Sequence, residues 1–217
     1  MSTDAWGLLF KALWETLYMV AVSGSLSFAL GIPLGVLLYV SRGGRIMENR
    51  LANVVLGSIV NAGRSVPFII LMVAIIPLTR LLTGTSIGTT AAIVPLTVAA
   101  IPFVARIAEG ALNEVPGGLV EAAQAMGATP LQIITRVLLP EAGAGLIHGM
   151  TITLVTLVSY SAMAGAIGGG GLGDLGIRYG YQRFDGVIML ATVVVLIVLV
   201  QLLQMAGDKL MHHFDRS

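Results

Sequence analysis

The chain has 217 residues, 56% of them hydrophobic and only 11% charged, with a mean hydropathy of +0.93. Soluble domains carry about 25% charged residues, so this composition predicts an all-α membrane protein. A net charge of +1 leaves no basic cluster for a nucleic acid, and the absence of cysteine excludes a disulfide framework and thiolate chemistry.

The N-terminus, "MSTDAWGLLFKALWETL", opens acidic rather than basic, and no small-residue cleavage signature follows it. No cleaved signal peptide is expected, so the first helix stays and spans. Apolar stretches with few or no Asp, Glu, Lys and Arg then mark five spans. The first covers 16–40, with Pro33 inside it and small residues at Gly31 and Gly35. Residues 66–82 alone, at about 1.5 Å per residue, fall short of a roughly 30 Å hydrocarbon core. The second span therefore borrows from "LANVVLGSIVNAG" and is placed at 60–82, with Arg64 near one interface. "TRLLTGTSIGTT" follows as a loop, because Gly and Thr break the apolar pattern.

The third span is placed at 91–111 and contains Pro95 and Pro102. Arg106 and Glu109 near its end share a helix face and read as a snorkelling interfacial pair rather than a relay. The fourth span covers 146–167 and the fifth 187–206. This is a single membrane domain with no room for a folded soluble one. An odd number of spans puts the termini on opposite sides. One side collects Arg42, Arg45, Arg50, Arg64, Arg106, Arg136, Lys209 and Arg216; the other holds Lys11, Arg80, Arg178 and Arg183. The positive-inside rule puts the richer side in the cytoplasm. The N-terminus is therefore expected outside, the C-terminus in the cytoplasm, and the segment 114–141 between spans three and four on the cytoplasmic face.

That segment contains "EAAQAMGATPLQIITRVLLP", residues 121–140, too small and polar to span. Pro116 and Gly117-Gly118 are expected to close off span three, with Glu121 in the first turn of a short helix, where its charge favours the helix dipole. Gly127 is placed to end that helix in a left-handed cap. Thr129 then caps a second helix with Pro130 at its first position, carrying an apolar stripe of Ile133, Ile134, Val137 and Leu138. The alanines of the first helix make a smooth cylinder. It can lie in the headgroup region as a connector, or it can enter a groove of a cytoplasmic partner.

Elsewhere the chemistry is sparse. A P-loop needs a Gly-Lys pair, and the only lysines follow Phe10 and Asp208; ATP, if used, is bound by another polypeptide. Gly168-x-Gly170-x-x-Gly173 and Gly171-x-Gly173-x-x-Gly176 lack the strand that a dinucleotide fold requires. Gly165, Gly169 and Gly173 instead allow close packing if the helix persists. His148 has no metal partners, adjacent His212 and His213 read as solvated surface, and "GRSV" at Gly63 lacks the glycine of a hydrolase turn. On span four, Thr156, Ser159 and Met163 share one face. They either line a gate or pack against a neighbour.

Glu121-Ala122-Ala123, the spaced Gly127, and Val137, Leu139 and Pro140 resemble the "EAA" motif of bacterial ABC importer permeases, with Val137 where Ile is usual. Arg64-Ser65-Val66-Pro67 is similar to the Arg-Gly-Thr-Pro stretch of amino-acid importer permeases but departs at its two middle positions. "SYSAMAGAIGGGGLGDLGIRYGYQRF", "GTSIG" and "AAIVPLT" resemble the methionine importer permeases within that family. The resemblance covers nearly the whole chain. It implies a bacterial inner-membrane subunit working as a homodimer, with two ATP-binding subunits beneath it and a solute-binding protein above. ATP and Mg would sit on the partner subunits and methionine would be the transported solute. Glu121, Ala122, Ala123, Met126 and Gly127 would form the coupling helix that docks in a cleft of the ATPase. Apart from the resemblance, if the face of Thr156, Ser159 and Met163 lines a gate, Met163 would plug its outer end. Rival readings are a permease for another amino acid or small solute, an ion-coupled secondary transporter, and a small membrane enzyme. The second of these favours internal repeats and a mid-membrane ionisable group, and the third needs a buried acid, base or nucleophile cluster. Neither pattern is visible.

Overall fold

A computed structural model describes residues 3–214, which leaves Arg216 of the charge tally outside the described residues. The described chain is helical, with no strand. Helix α1 (Thr3–Val40) runs unbroken through Pro33. It begins well before the expected 16, because Lys11 and Glu15 sit one turn apart and pair at 3.9 Å instead of ending the helix. Trp6, Phe10 and Trp14 on the same stretch are exposed, as suits a membrane–water interface. Deeper in the bilayer its hydroxyls are satisfied locally: Ser23 donates to the Met19 carbonyl at 2.6 Å and Ser27 to the Ser23 carbonyl at 2.6 Å.

Helix α2 (Arg50–Ser65) starts on Asn49, whose side chain accepts from the Ala52 N–H. The expected straight span over 60–82 does not form. α2 stops at Ser65, α3 (Phe68–Ala74) follows at a bend of 104°, and α4 (Ile76–Thr83) continues after a break at Ile75. Pro67 is the cause. Its ring excludes a helical conformation for Val66, which is extended at φ −85°, ψ 124°, and it supplies no N–H to carry the ladder through. α4 ends at Gly84 in a left-handed cap.

Helix α5 (Thr89–Asn113) is the hub, buried along most of its length. It lies against α1 at glycine: a Cβ on Gly35 would sit 2.5 Å from the Ala105 carbonyl, and one on Gly31 2.7 Å from the Val104 Cβ. Removing the side chain lets two membrane helices touch backbone to backbone. After α5 come α6 (Gly117–Ala125), α7 (Pro130–Ile133), a π-helical turn over Ile134–Leu138 and α8 (Leu139–Glu141). Then α9 (Gly143–Gly165) crosses, α10 (Gly171–Leu175) and a second π-helical turn over Gly176–Tyr181 form the connection, and α11 (Gly186–Phe214) closes the chain. Among the described residues four helices are long and apolar enough to cross a membrane, or five when bent α2–α3 is taken as one crossing. The most apolar of them, α11, is barely sheltered by the rest of the chain: 6% of its spanning window is buried.

Candidate coupling site

The segment between α5 and α9 is an elbow fixed at each joint. Pro116 is the N-cap of α6, so Gly117 and Gly118 open that helix rather than closing the one before it. Glu121 consequently lies in its second turn, a correction to the expected placement beside the helix N-terminus. At the other end Gly127 is left-handed, φ +79°. The Ala128 N–H donates to the Ala123 carbonyl at 3.0 Å and the Gly127 N–H to the Gln124 carbonyl at 2.9 Å. These two bonds form a Schellman motif, which satisfies carbonyls that the helix end would otherwise leave open. Thr129 then caps α7, its backbone N–H donating to Gln132 Oε1 at 2.9 Å while its hydroxyl accepts from the Gln132 N–H at 3.4 Å. This capping box fixes the direction of α7. The Thr-x-x-Gln spacing is the sequence signature of this box.

Packing sorts the residues of α6 by face. Ala123, 4% exposed, is sealed into a cluster with Tyr39, Val40, Leu112, Ile133 and Leu138. Glu121, Ala122, Met126 and Gly127 are exposed. Of the five proposed docking residues, four therefore face outward and Ala123 instead anchors the elbow to the ends of α1 and α5. Met126, 82% exposed, is a large apolar side chain that nothing within this chain covers. Val137 and Leu138 of the expected stripe turn inward with Ile133 and Ile134, as that stripe requires.

Two residues at this site carried no readable signal in the sequence. The Arg45 guanidinium stacks on the Tyr39 ring at 4.4 Å and donates to Asn113 Oδ1 at 3.2 Å. Both line a 220 Å³ cavity with Glu121 and Gln124. In the neighbouring loop the Gly44 N–H, bonded to the Glu48 carboxylate at 2.9 Å, holds that carboxyl below its ordinary range, with Arg50 adding to the effect.

Arg106 forms the expected pair with Glu109 and also reaches α2. It donates to the Gly57 carbonyl at 3.1 Å and to Asn61 Oδ1 at 2.9 Å. It turns inward because α2 offers it two acceptors, and in doing so it clamps the bent helix to α5.

At the other end of the molecule, Ser159 and Met163 line a 670 Å³ groove between α9 and α11. Thr156 does not join them: it is partly buried and returns its hydroxyl to the Ile152 carbonyl at 2.8 Å. The glycine repeat does not continue as a helix. Instead Gly165 meets the following connection, where a Cβ would sit 2.9 Å from the Gly170 carbonyl. Glu15 and Thr16 of α1 accept from the Gly171 and Leu172 N–H groups at 2.8 and 2.9 Å, which pins α10 to the first span.

With this geometry in place, comparison with known proteins is direct. Residues 31–217 match the family model described as "Binding-protein-dependent transport system inner membrane component". The chain belongs to that family. It is accordingly a multi-pass inner-membrane permease subunit. Among its relatives, the probable D-methionine transport system permease protein MetI of Vibrio cholerae serotype O1 is 65% identical over 208 residues, covering 96% of this chain and 92% of that one. The corresponding Pasteurella multocida protein is 50% identical over 215 residues, 99% of each chain. A solved structure of the MetNI methionine ABC transporter in inward-facing conformations superposes over 100% of both chains with a TM-score of 0.98 at 54% identity. An amino acid ABC transporter at 18% identity and a TM-score of 0.72 shares the fold of this permease.

Proposed function

We propose that this permease forms the translocation pathway of an ATP-driven methionine importer and that the exposed face of α6 receives the force of ATP hydrolysis. The observation that carries the reading is a helix opened by Pro116 and closed by the Schellman turn at Gly127, bearing Ala122 and Met126 outward and glued by Ala123 to the ends of α1 and α5. The names of the relatives, at up to 65% identity, supply the solute. Two copies face each other, two ATPase subunits that bind ATP and Mg lie beneath, and a solute-binding protein docks above. The N-terminus is outside and the C-terminus in the cytoplasm.

The mechanism follows from stiffness. Closure of the ATPase pair on ATP moves α6. The buried cluster around Ala123, Ile133 and Leu138 does not compress, so α6, α7 and the adjoining ends of α1 and α5 move as one body. The spans rock from an inward-open to an outward-open arrangement, and hydrolysis returns them. Met163, at the outer part of the α9 groove, closes the pathway between strokes.

Methionine uptake into vesicles carrying the permease, its ATPase and its binding protein tests this reading. Uptake is expected to require ATP and to persist when ion gradients are dissipated. Gradient-driven uptake without ATP would favour a secondary transporter instead.

A further inference from the structure

We propose that Gln201, with Ser159, forms a weak polar station for the zwitterionic head of the solute in transit, an inference that rests on the transport reading above. Gln201 lies on α11, where the exposed side chains Val193, Val194, Ile197, Val198 and Leu202 are apolar, and the exposed Gln204 one turn further on does not line the groove. The one threonine of that stretch, Thr192, is buried and returns its hydroxyl to the Ile188 carbonyl at 2.8 Å. Gln201 has no such arrangement. Its amide offers a carbonyl acceptor and a two-proton donor, is exposed, and carries no bond to other described residues. An amide left in lipid is costly, and this one lines the 670 Å³ groove rather than the opposite face of α11.

Ser159 lies in the same groove in the same condition. Its neighbours Thr156 and Ser161 return their hydroxyls to the carbonyls of Ile152 and Val158, whereas the Ser159 hydroxyl bonds to none of the described residues. The remaining wall is apolar, with Ile69, Leu196 and Ile197 among its residues, and no charged side chain lines it. This chemistry fits an amino acid with an apolar side chain. The Gln201 N–H₂ donates to the carboxylate, its carbonyl and the Ser159 hydroxyl accept from the ammonium, and the side chain lies on the apolar wall. Without a countercharge the solute is held by neutral hydrogen bonds alone, so it is guided but not trapped. A solute with a charged side chain finds nothing to pair with. Met163 is one turn beyond Ser159 on α9, about 6 Å further toward the outer end, which places the station just below the plug.

The chain contains no cysteine, so Gln201→Cys and Leu202→Cys each introduce a single thiol into the membrane subunit. The complete transporter in lipid vesicles is treated with a hydrophilic methanethiosulfonate reagent, and modification of the permease is read by mass. The Gln201→Cys thiol is expected to react at least ~10-fold faster than the Leu202→Cys thiol, since only water-filled space ionises a thiol readily. In parallel, Gln201→Leu removes both hydrogen bonds of the amide to the solute and is expected to lower methionine moved per ATP at least ~5-fold, with partial recovery in Gln201→Asn. A Gln201→Cys thiol that reacts no faster than that of Leu202→Cys overturns the station, and that result would fit a glutamine packed against its copy. So does a Gln201→Leu transporter that moves methionine as the parent does. The unmodified parent in the same vesicles separates the two levels of argument. Normal ATP-dependent uptake by the parent confines any failure to the station, whereas no uptake removes the transport reading and the station with it.

Discussion

Gly127 offers a way to separate folding of the coupling elbow from its docking. Its φ of +79° is one that side chains resist, yet a Cβ there would meet no heavy atom within 4 Å. In the free permease the cost of Gly127→Ala is therefore backbone strain alone, about 1–2 kcal/mol, and Gly127→Asn costs less because asparagine tolerates the left-handed region. Gly118, also with open space around it but inside α6 at ordinary φ, supplies the control: Gly118→Ala should stabilise by roughly 0.5–1 kcal/mol. Thermal unfolding of the purified permease should thus rank Gly118→Ala above the parent, then Gly127→Asn, then Gly127→Ala. Binding of the ATPase subunit should rank differently. Gly127→Asn adds bulk on the docking surface and is expected to weaken binding at least ~10-fold, a loss of about 1.4 kcal/mol that its mild folding cost cannot explain. Gly127→Asp should behave likewise and abolish uptake. A Gly127→Asn permease that binds the ATPase and transports as the parent does would refute the docking assignment.

Gly35→Ala should destabilise by about 1–3 kcal/mol through overpacking, because its Cβ would sit 2.5 Å from the Ala105 carbonyl, and thermal unfolding in detergent reads the loss. Gly110→Ala on α5, where a Cβ meets nothing, should instead stabilise slightly in the same assay. Arg106→Met strands Glu109, whose side chain is 13% exposed, and breaking such a pair costs about 3–5 kcal/mol. The double variant Arg106→Met/Glu109→Gln should recover part of that loss, and no recovery would mean the α2 contacts matter more than the charge. Met163→Ala should raise ATP turnover or solute leak without binding protein, and unchanged kinetics would argue against a plug. Because bonding to Gly44 lowers the Glu48 carboxyl below its ordinary 4.5, its clasp is complete above that pH and is lost as the pH falls through the lowered value. Amide exchange at Gly44 should accelerate in acid and be pH-insensitive, apart from the intrinsic rate, in Glu48→Gln.

What could be read from the sequence was local. Charge-poor runs located the crossings, and Thr129-Pro130 with Gly127 marked both turns of the elbow, because caps act over a few residues. The misreadings have physical reasons. Lys11 and Glu15 interrupted a count of apolar residues, although a paired charge one helical turn away does not interrupt a helix. Pro67 passed as one more residue of an apolar stretch, although its ring sets the conformation of Val66 and bends the second span. The inward turn of Arg106 depends on acceptors at Gly57 and Asn61, far back in the chain, and the division of Ala122 from Ala123 depends on where α1 and α5 end. Neither has a local signature.

The bareness of α11 bears on how the subunit is made. A helix so apolar leaves the translocon for lipid on its own merits. Until a companion subunit arrives, much of this helix stays bare to lipid. Surplus copies synthesised without their companions would therefore offer membrane proteases a ready handle, and stoichiometry could be policed by degradation rather than by matched synthesis.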